Sequence, residues 1–416
     1  MSEIKKIRIA ILGLGTVGTN IVKILQENAK EIMDKNNLSI EVSKIFVRNI
    51  DKLVRLNIDK SLYASSVEEI YNDDKIDIVV ELIGGINPAK EYIEGALKAK
   101  KHVVSANKDL ICMHGGYLAK VASENKKALF YEASCLSAIP IINVFRNNFQ
   151  GEKILSIKGI LNGTSNFILS KMKYENMSFD DALTLAQELG YAESDPTNDI
   201  SGLDAAYKLC ILARLAFLVD AELPDVNITG IQDITAQDIE IANSLGYTIK
   251  SIGTGKYNAQ NKLELRISPS LVSNAHYLSK IDNSLNSIII KGSASDDITL
   301  AGEGAGGFAA AASVLNDIIS CAGYDAINQN VFNEKNIAEN WSARFFIRFK
   351  VSGDMASEIS YFLKERGITI QAIININAQT IVVLTSETDF ISMQNALSYI
   401  KKQKLINSVG CLMEIF

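Results

Sequence analysis

A chain of 416 residues is too long for one ordinary domain, and at roughly 150 residues per domain it implies two or three. With 47% hydrophobic and 22% charged residues it has a globular balance, and a net charge of −6 without a Lys/Arg-rich block argues against nucleic acid binding. Five cysteines without C-x-x-C spacing, three histidines in no metal-binding pattern and no run near the ~18 apolar residues of a membrane span point to a cytoplasmic protein without disulfides, zinc or a membrane partner.

The N-terminal part reads as alternating strands and helices. Ile7–Leu12 is a short apolar run suited to a buried parallel strand, and Val17–Ile32 has apolar positions at helical spacing. Ser39–Val47 and Ile76–Ile83 follow as strands, Lys90–Ala99 as a helix and His102–Val104 as a strand. Ala119–Asn125 is helical and Ala128–Tyr131 extended. Such alternation predicts right-handed crossovers and a parallel sheet.

From about residue 140 the pattern becomes α+β. A strand at Ile154–Leu161 precedes helices around Asn166–Lys173, Phe179–Leu189 and Leu203–Leu218. Strands at Leu263–Ser268 and Ser287–Lys291 come next, and Gly302–Ala312 leads into a helix to about Ile319. The polar stretch Asn328–Asn340 reads as a linker. Beyond it, strand Arg344–Val351, helix Ala356–Glu365, strands Ile368–Ile376 and Thr380–Thr385, helix Phe390–Lys401 and strand Asn407–Ile415 give the order βαββαβ. That is the ferredoxin-like split motif, and it is expected to form a unit of its own.

Three motifs carry chemistry. Gly13-Leu-Gly15-Thr16-Val17-Gly18 follows the first strand and opens a helix. The first glycine allows the tight turn, the second the close approach of a pyrophosphate and the third close helix–strand packing. The second strand ends without an acid for a ribose 2′-hydroxyl. Arg48 stands there and could pair a 2′-phosphate, which favours NADP with NAD as the alternative; the competing reading is a solvated strand end.

The second cluster, residues 190–208, crowds Glu193, Asp195, Asp199, Asp204 and Lys208 at the start of an apolar helix. Asp204 and Lys208 share a helix face. Carboxylates there would hold a substrate ammonium, and the lysine would give or take a proton at a carbonyl or hydroxyl. The bland alternative is an exposed i,i+4 pair. The third cluster, Lys158–Phe167, reads as a plain helix start capped by Thr164, Ser165 or Asn166.

With GLGTVG at 13–18, VELIGG at 80–85, SANK at 105–108, GILNGTSNF at 159–167, LGYAESDPTNDISGLDAAYKL at 189–209 and GEGAG at 302–306, the chain resembles the long form of homoserine dehydrogenase with a C-terminal ACT domain. The resemblance implies reversible NAD(P)-dependent reduction of L-aspartate 4-semialdehyde to L-homoserine, in threonine, methionine and isoleucine biosynthesis. It implies an α/β fold in three parts. These are a doubly wound Rossmann sheet at 1–135, joined by about 304–325, an α+β substrate and dimerisation domain at 136–303, and a ferredoxin-like ACT domain at 342–416.

Carried over residue by residue, Lys208 is the proton donor. Glu193, Asp199 and Asp204 bind the substrate's amino acid end, with Asp204 also catalytic, and Lys108 belongs at the nicotinamide–substrate junction. Gly13, Gly15, Thr16, Val17, Gly18, Arg48, Ser105, Lys108, Gly190 and Gly304 fall at cofactor positions. Glu132 and Ile139 match a site for a monovalent cation such as sodium. A homodimer or tetramer and a threonine effector on the ACT domain are implied as well.

The chain departs from the family at Cys135-Leu136-Ser137-Ala138, where glycines are usual, at Gly307–Ala311, and at Val351–Met355, where an acidic–x–Pro–Gly turn is customary. Two rivals use these departures. One is a semialdehyde dehydrogenase with Cys135 as nucleophile, the other a non-catalytic nucleotide sensor.

Overall fold

The computed structural model describes residues 4–323, 332–403 and 406–416. Residues 324–325 of the expected return segment and 328–331 of the expected linker lie outside the described residues. The chain divides into two units. The first contains Met1–Glu152, Cys210–Leu223 and Gly302–Lys335, the second Lys153–Leu209, Pro224–Ala301 and Asn336–Phe416.

In the first unit, β1 (Lys5–Leu12), β2 (Leu38–Phe46), β3 (Tyr63–Ala64), β4 (Ile78–Glu81), β5 (His102–Ser105) and β6 (Leu129–Phe130) form a parallel sheet in the order β3-β2-β1-β4-β5-β6. This is the doubly wound dinucleotide-binding order. The inner strands read as continuous apolar runs because both of their faces are covered, and Ile9, Ala10, Ile11 and Leu12 are fully buried. Helix Gly307–Ala322 adds Ala311, Val314 and Ile318 to the core of Ile9, Ile11 and Leu14.

The single helix expected over 17–32 is two, Thr16–Glu27 and Ala29–Asn36, parted at Asn28. Asparagine competes for backbone hydrogen bonds locally, and here its non-helical φ of −107° breaks the ladder.

The second unit is built on one large mixed sheet. Its strands are β7 (Ile154–Ile160), β8 (Asn227–Ile228), β9 (Tyr247–Tyr257), β10 (Leu263–Ser273), β11 (Leu285–Gly292), β12 (Asp297–Glu303), β13 (Ser342–Lys350), β14 (Ile370–Asn377), β15 (Thr380–Thr385), β16 (Thr388–Asp389) and β17 (Ser408–Ile415). The path is β12-β11-β7-β9-β10-β17-β13-β15-β14, with β8 on β10 and β16 on β13. Helices Ala356–Glu365 and Phe390–Lys402 complete the βαββαβ order, whose four main strands pair antiparallel as β17-β13-β15-β14.

This C-terminal motif does not stand alone. β17 pairs in parallel with β10, Ser270 opposite Glu414 and Leu271 opposite Ile415. Phe346, Val382, Met413 and Ile415 share a core with Phe167, Ile168 and Leu271. Hydrophobic alternation marks a strand but not its neighbour, so the shared sheet had no trace in the sequence.

A fully buried ion pair clamps the same contact. The Arg348 guanidinium donates to Asp238 Oδ1 at 2.6 Å and Oδ2 at 2.9 Å, joining β13 to helix Ala236–Ser244. Burial alone would raise the Asp238 carboxyl. Hydrogen bonds from Arg348, Cys411 and Thr235 overcome that and hold it below the usual carboxylate range. Gly410 is required here, because a Cβ would meet the Arg348 guanidinium. Removing the cation leaves a buried, unpaired carboxylate. Arg348→Ala is therefore expected to cost about 3–5 kcal/mol of unfolding free energy, measured by urea denaturation of the full chain.

Candidate functional site

In the second unit the site is assembled at two helix starts. Helix Gly163–Glu175 begins directly after β7, and its cap is Asn162, whose Oδ1 accepts from the Ser165 amide at 2.7 Å. This corrects the expected cap at Thr164, Ser165 or Asn166. The readable signal was an Asn three residues ahead of Ser165.

The other end of the Asn162 side chain does more. Its Nδ2 donates to Asp199 Oδ1 at 2.7 Å and to Asp204 Oδ2 at 2.8 Å. The same Asp204 oxygen accepts from Lys208 Nζ at 2.7 Å, and Lys208 also donates to the Leu161 carbonyl at 2.9 Å. Asp204 and Lys208 are 7% and 8% exposed, so the pair is buried, unlike an ordinary i,i+4 surface pair.

Burial raises the Asp199 carboxyl above its usual range, against the lowering effect of the Asn162 hydrogen bond. Ser165 Oγ donates to the Asp199 carbonyl and Thr164 Oγ1 to the Tyr191 carbonyl, which fixes the acidic loop against the helix start. Glu193 stands exposed on that loop and takes no part in the chain from Asp199 to Lys208. Gly190 ends the turn after helix Phe179–Glu188 with φ 76°, a backbone requirement of its own. A buried ammonium on a carboxylate, beside a second carboxylate reluctant to ionise, can move a proton and accept a cationic ligand group.

In the first unit the glycine turn sits between β1 and helix Thr16–Glu27. Gly13 has φ 96°, and a Cβ there would lie 2.8 Å from the Leu82 carbonyl oxygen. A Cβ at Gly18 would lie 2.6 Å from the Gly13 oxygen, whereas one at Gly15 would meet nothing within 4 Å. The turn is thus closed on the protein side and open at Gly15. The helix has no side-chain cap, leaving the N-terminal amides of Thr16, Val17 and Gly18 for an anion. A cavity of about 670 Å³ adjoins, lined among others by Gly15 and Thr16. These features fit a dinucleotide diphosphate. Arg48 is exposed just beyond β2, and Gly304 is buried ahead of helix Gly307–Ala322.

The loops after β4 and β5 are locked by a network of which sequence reasoning had assigned only Ser105, to the cofactor. Glu81, fully buried, accepts from the Ile83 amide at 2.8 Å and from Ser105 Oγ at 2.7 Å. Asn107 donates to the Gly85 carbonyl at 2.6 Å and caps helix Lys108–Glu124 through the Leu110 amide. Lys108 is the first residue of that helix, with its ammonium 3.7 Å from Asp109.

Glu132 and Ile139 lie close together in the chain at the start of a helix. The Glu132 carboxylate accepts from the Ile142 amide at 2.8 Å and the Asn143 amide at 2.7 Å, capping helix Ile141–Asn148, and the Ile139 carbonyl accepts from Ile141. Cys135 is fully buried and offers no accessible nucleophile.

Residues 140–319 match the protein family described as "Homoserine dehydrogenase", and residues 13–132 match "Homoserine dehydrogenase, NAD binding domain". The chain is 35% identical over 405 residues to a homoserine dehydrogenase of Bacillus subtilis, covering 93% of each. It is 37% identical over 408 residues to one of Helicobacter pylori, covering 94% of this chain and 95% of the relative. Among solved structures, a homoserine dehydrogenase from Thiobacillus denitrificans matches with a TM-score of 0.92 at 32% identity, over 100% of this chain and 99% of its own. A hyperthermophilic archaeal homoserine dehydrogenase in complex with NADPH matches with a TM-score of 0.65 at 26% identity, over 78% of this chain and 100% of its own.

Beside Glu132, the buried Asp317 carboxylate accepts from the Glu132 amide at 2.7 Å, and burial pushes its pKa up to about 7. The folded chain therefore binds this proton more tightly than the unfolded chain, so ionising Asp317 costs stability as pH rises. Asp317→Asn removes that cost. The difference in melting temperature, variant minus wild type, is expected to grow from about pH 4 to about pH 7 and level off above, in a thermal melt series.

Proposed function

The chain belongs to the homoserine dehydrogenase family and interconverts L-aspartate 4-semialdehyde and L-homoserine with NAD(P)(H), and from that premise we propose how its own residues divide the work. Lys208 is the proton donor to the aldehyde oxygen. The supporting observation is its buried ammonium, held between Asp204 and the Leu161 carbonyl. Asp204 orients it, and Asn162 orients Asp204. Asp199 and Glu193 hold the substrate ammonium, a cation that would offset the burial penalty on Asp199.

The reduced nicotinamide supplies hydride to the aldehyde carbon when bound. Gly13, Gly15, Thr16, Val17 and Gly18 hold its diphosphate, while Ser105 and Gly304 border the cofactor and Lys108 contacts it near the reacting end. The cofactor is NADP, a reading supported by the absence of an acid at the end of β2 and by Arg48 beyond it.

The enzyme serves threonine, methionine and isoleucine synthesis in the cytoplasm as a homodimer or tetramer. The C-terminal βαββαβ motif binds threonine as effector; its strand order supports the ferredoxin-like fold of such a regulatory domain. Among the described residues no helix is long and apolar enough to cross a membrane.

Lys208→Ala is expected to lower kcat for semialdehyde reduction by about 10²–10⁴-fold while NADPH affinity, read by fluorescence titration, stays within a factor of about two. A variant with near-wild-type kcat at saturating substrate would remove Lys208 from the mechanism.

A further inference from the structure

Glu81 is the last residue of β4, which lies between β1 and β5 where the strand order of the first sheet reverses. It stands opposite Leu12 on one side and Ser105 on the other. In a doubly wound sheet the ligand crevice opens at this point, beyond the carboxyl ends of the strands. Glu81 is fully buried, and among the described residues its carboxylate meets hydrogen-bond donors but no cation. A buried carboxylate is costly unless its oxygens are satisfied. An apolar side chain would close the strand end at less cost, so packing alone does not account for the charge.

The bonds run in one direction. Oε1 accepts from the amides of Ile83 and Gly84 at 2.8 and 3.3 Å, and Oε2 accepts from Ser105 Oγ at 2.7 Å. With its proton committed to Glu81, Ser105 Oγ accepts from the Asn107 amide at 3.1 Å. Asn107 then holds the Gly85 carbonyl through Nδ2 and the Leu110 amide through Oδ1. One carboxylate thus ties the loop after β4 to the start of helix Lys108–Glu124. Lys108 is only partly buried, so where its ammonium reaches depends on where that helix starts.

We propose that Glu81 is a positioning residue for hydride transfer: through Ser105 and Asn107 it sets the helix start that carries Lys108 against the nicotinamide. This rests on the role given to Lys108 above. A displacement of about 1 Å at a reacting centre can cost about 10²-fold in rate, so a residue that fixes this helix start acts on the chemical step. Glu81→Gln keeps the shape and one oxygen for the Ile83 amide. Its Nε2 would face Ser105 Oγ, whose proton turns away, and the bond from Asn107 survives. Glu81→Ala removes every acceptor at once.

The test uses the full-length protein and a single turnover of semialdehyde reduction, followed by NADPH absorbance at saturating substrate, with NADPH affinity read by fluorescence titration. Loss of folded protein lowers the amplitude of that transient, whereas misplacement lowers its rate. Glu81→Ala is expected to slow hydride transfer by about 10–10²-fold, keep the amplitude and leave NADPH affinity within about threefold. Glu81→Gln is expected to restore the rate to within about fivefold of wild type. The double variant Glu81→Ala/Asn107→Ala is expected to be no more than about twofold slower than the slower single variant, because both break one chain. If Glu81→Ala does not fold, Asn107→Ala breaks the same chain and carries the same expected and overturning results. The proposal is overturned by a wild-type rate in Glu81→Ala, by a fall in amplitude alone, by an NADPH affinity that falls as far as the rate, or by losses that multiply in the double variant. Lys108→Ala in the same transient separates the two readings. A wild-type rate there overturns the role of Lys108 and the proposal with it. A slowed Lys108→Ala beside a wild-type Glu81→Ala overturns the proposal alone.

Discussion

The placement of the Lys208 ammonium in a nearly closed environment is the constraint on which the rest of the site depends. A buried ammonium is costly unless it is paired and hydrogen-bonded. Asp204 and the Leu161 carbonyl provide that pairing, at 2.7 and 2.9 Å. The helix Leu203–Phe217 puts Asp204 and Lys208 one turn apart, and β7 delivers Leu161 to the same spot. Asn162 completes the arrangement with one amide group. Its oxygen caps a helix, and its nitrogen separates two carboxylates that would otherwise repel. A small polar loop that looks like simple helix punctuation is therefore part of the chemistry.

The dinucleotide unit solves a different problem, which is to bring backbone close to an anion without a side chain intervening. Gly13 and Gly18 are glycines because the protein itself leaves no room for a Cβ. Gly15 faces open space, so its bareness serves an incoming group. The Glu81–Ser105–Asn107 network holds the neighbouring loops at the carboxyl ends of β4 and β5. This network of side chains thus keeps the backbone of those loops in register.

The C-terminal motif illustrates how a sheet edge is managed. Left alone, β17 would expose an unpaired edge. Its parallel pairing with β10 removes that edge, and the Arg348–Asp238 pair fixes the contact. Trp341 Nε1 and the Arg266 guanidinium both reach Glu414, so β17 is held by polar as well as apolar contacts. The second unit thus carries one continuous sheet, and the C-terminal motif shares part of its core with the rest of that unit.

The residues by themselves determined the parallel first sheet, the glycine turn, the βαββαβ order and the crowding of Asp199, Asp204 and Lys208. These follow from periodicity and spacing, which are local properties of a chain. Only the tertiary structure decided that Asn162 bridges the two aspartates and that Glu132 spends both oxygens on a helix start. The same holds for Glu81, whose carboxylate reaches Ser105, and for β17, which joins β10. Each of these is a contact between segments far apart in sequence or a choice among equivalent polar side chains. Local pattern fixes which face a residue points from, and burial and hydrogen-bond satisfaction in the folded chain select the partner it meets.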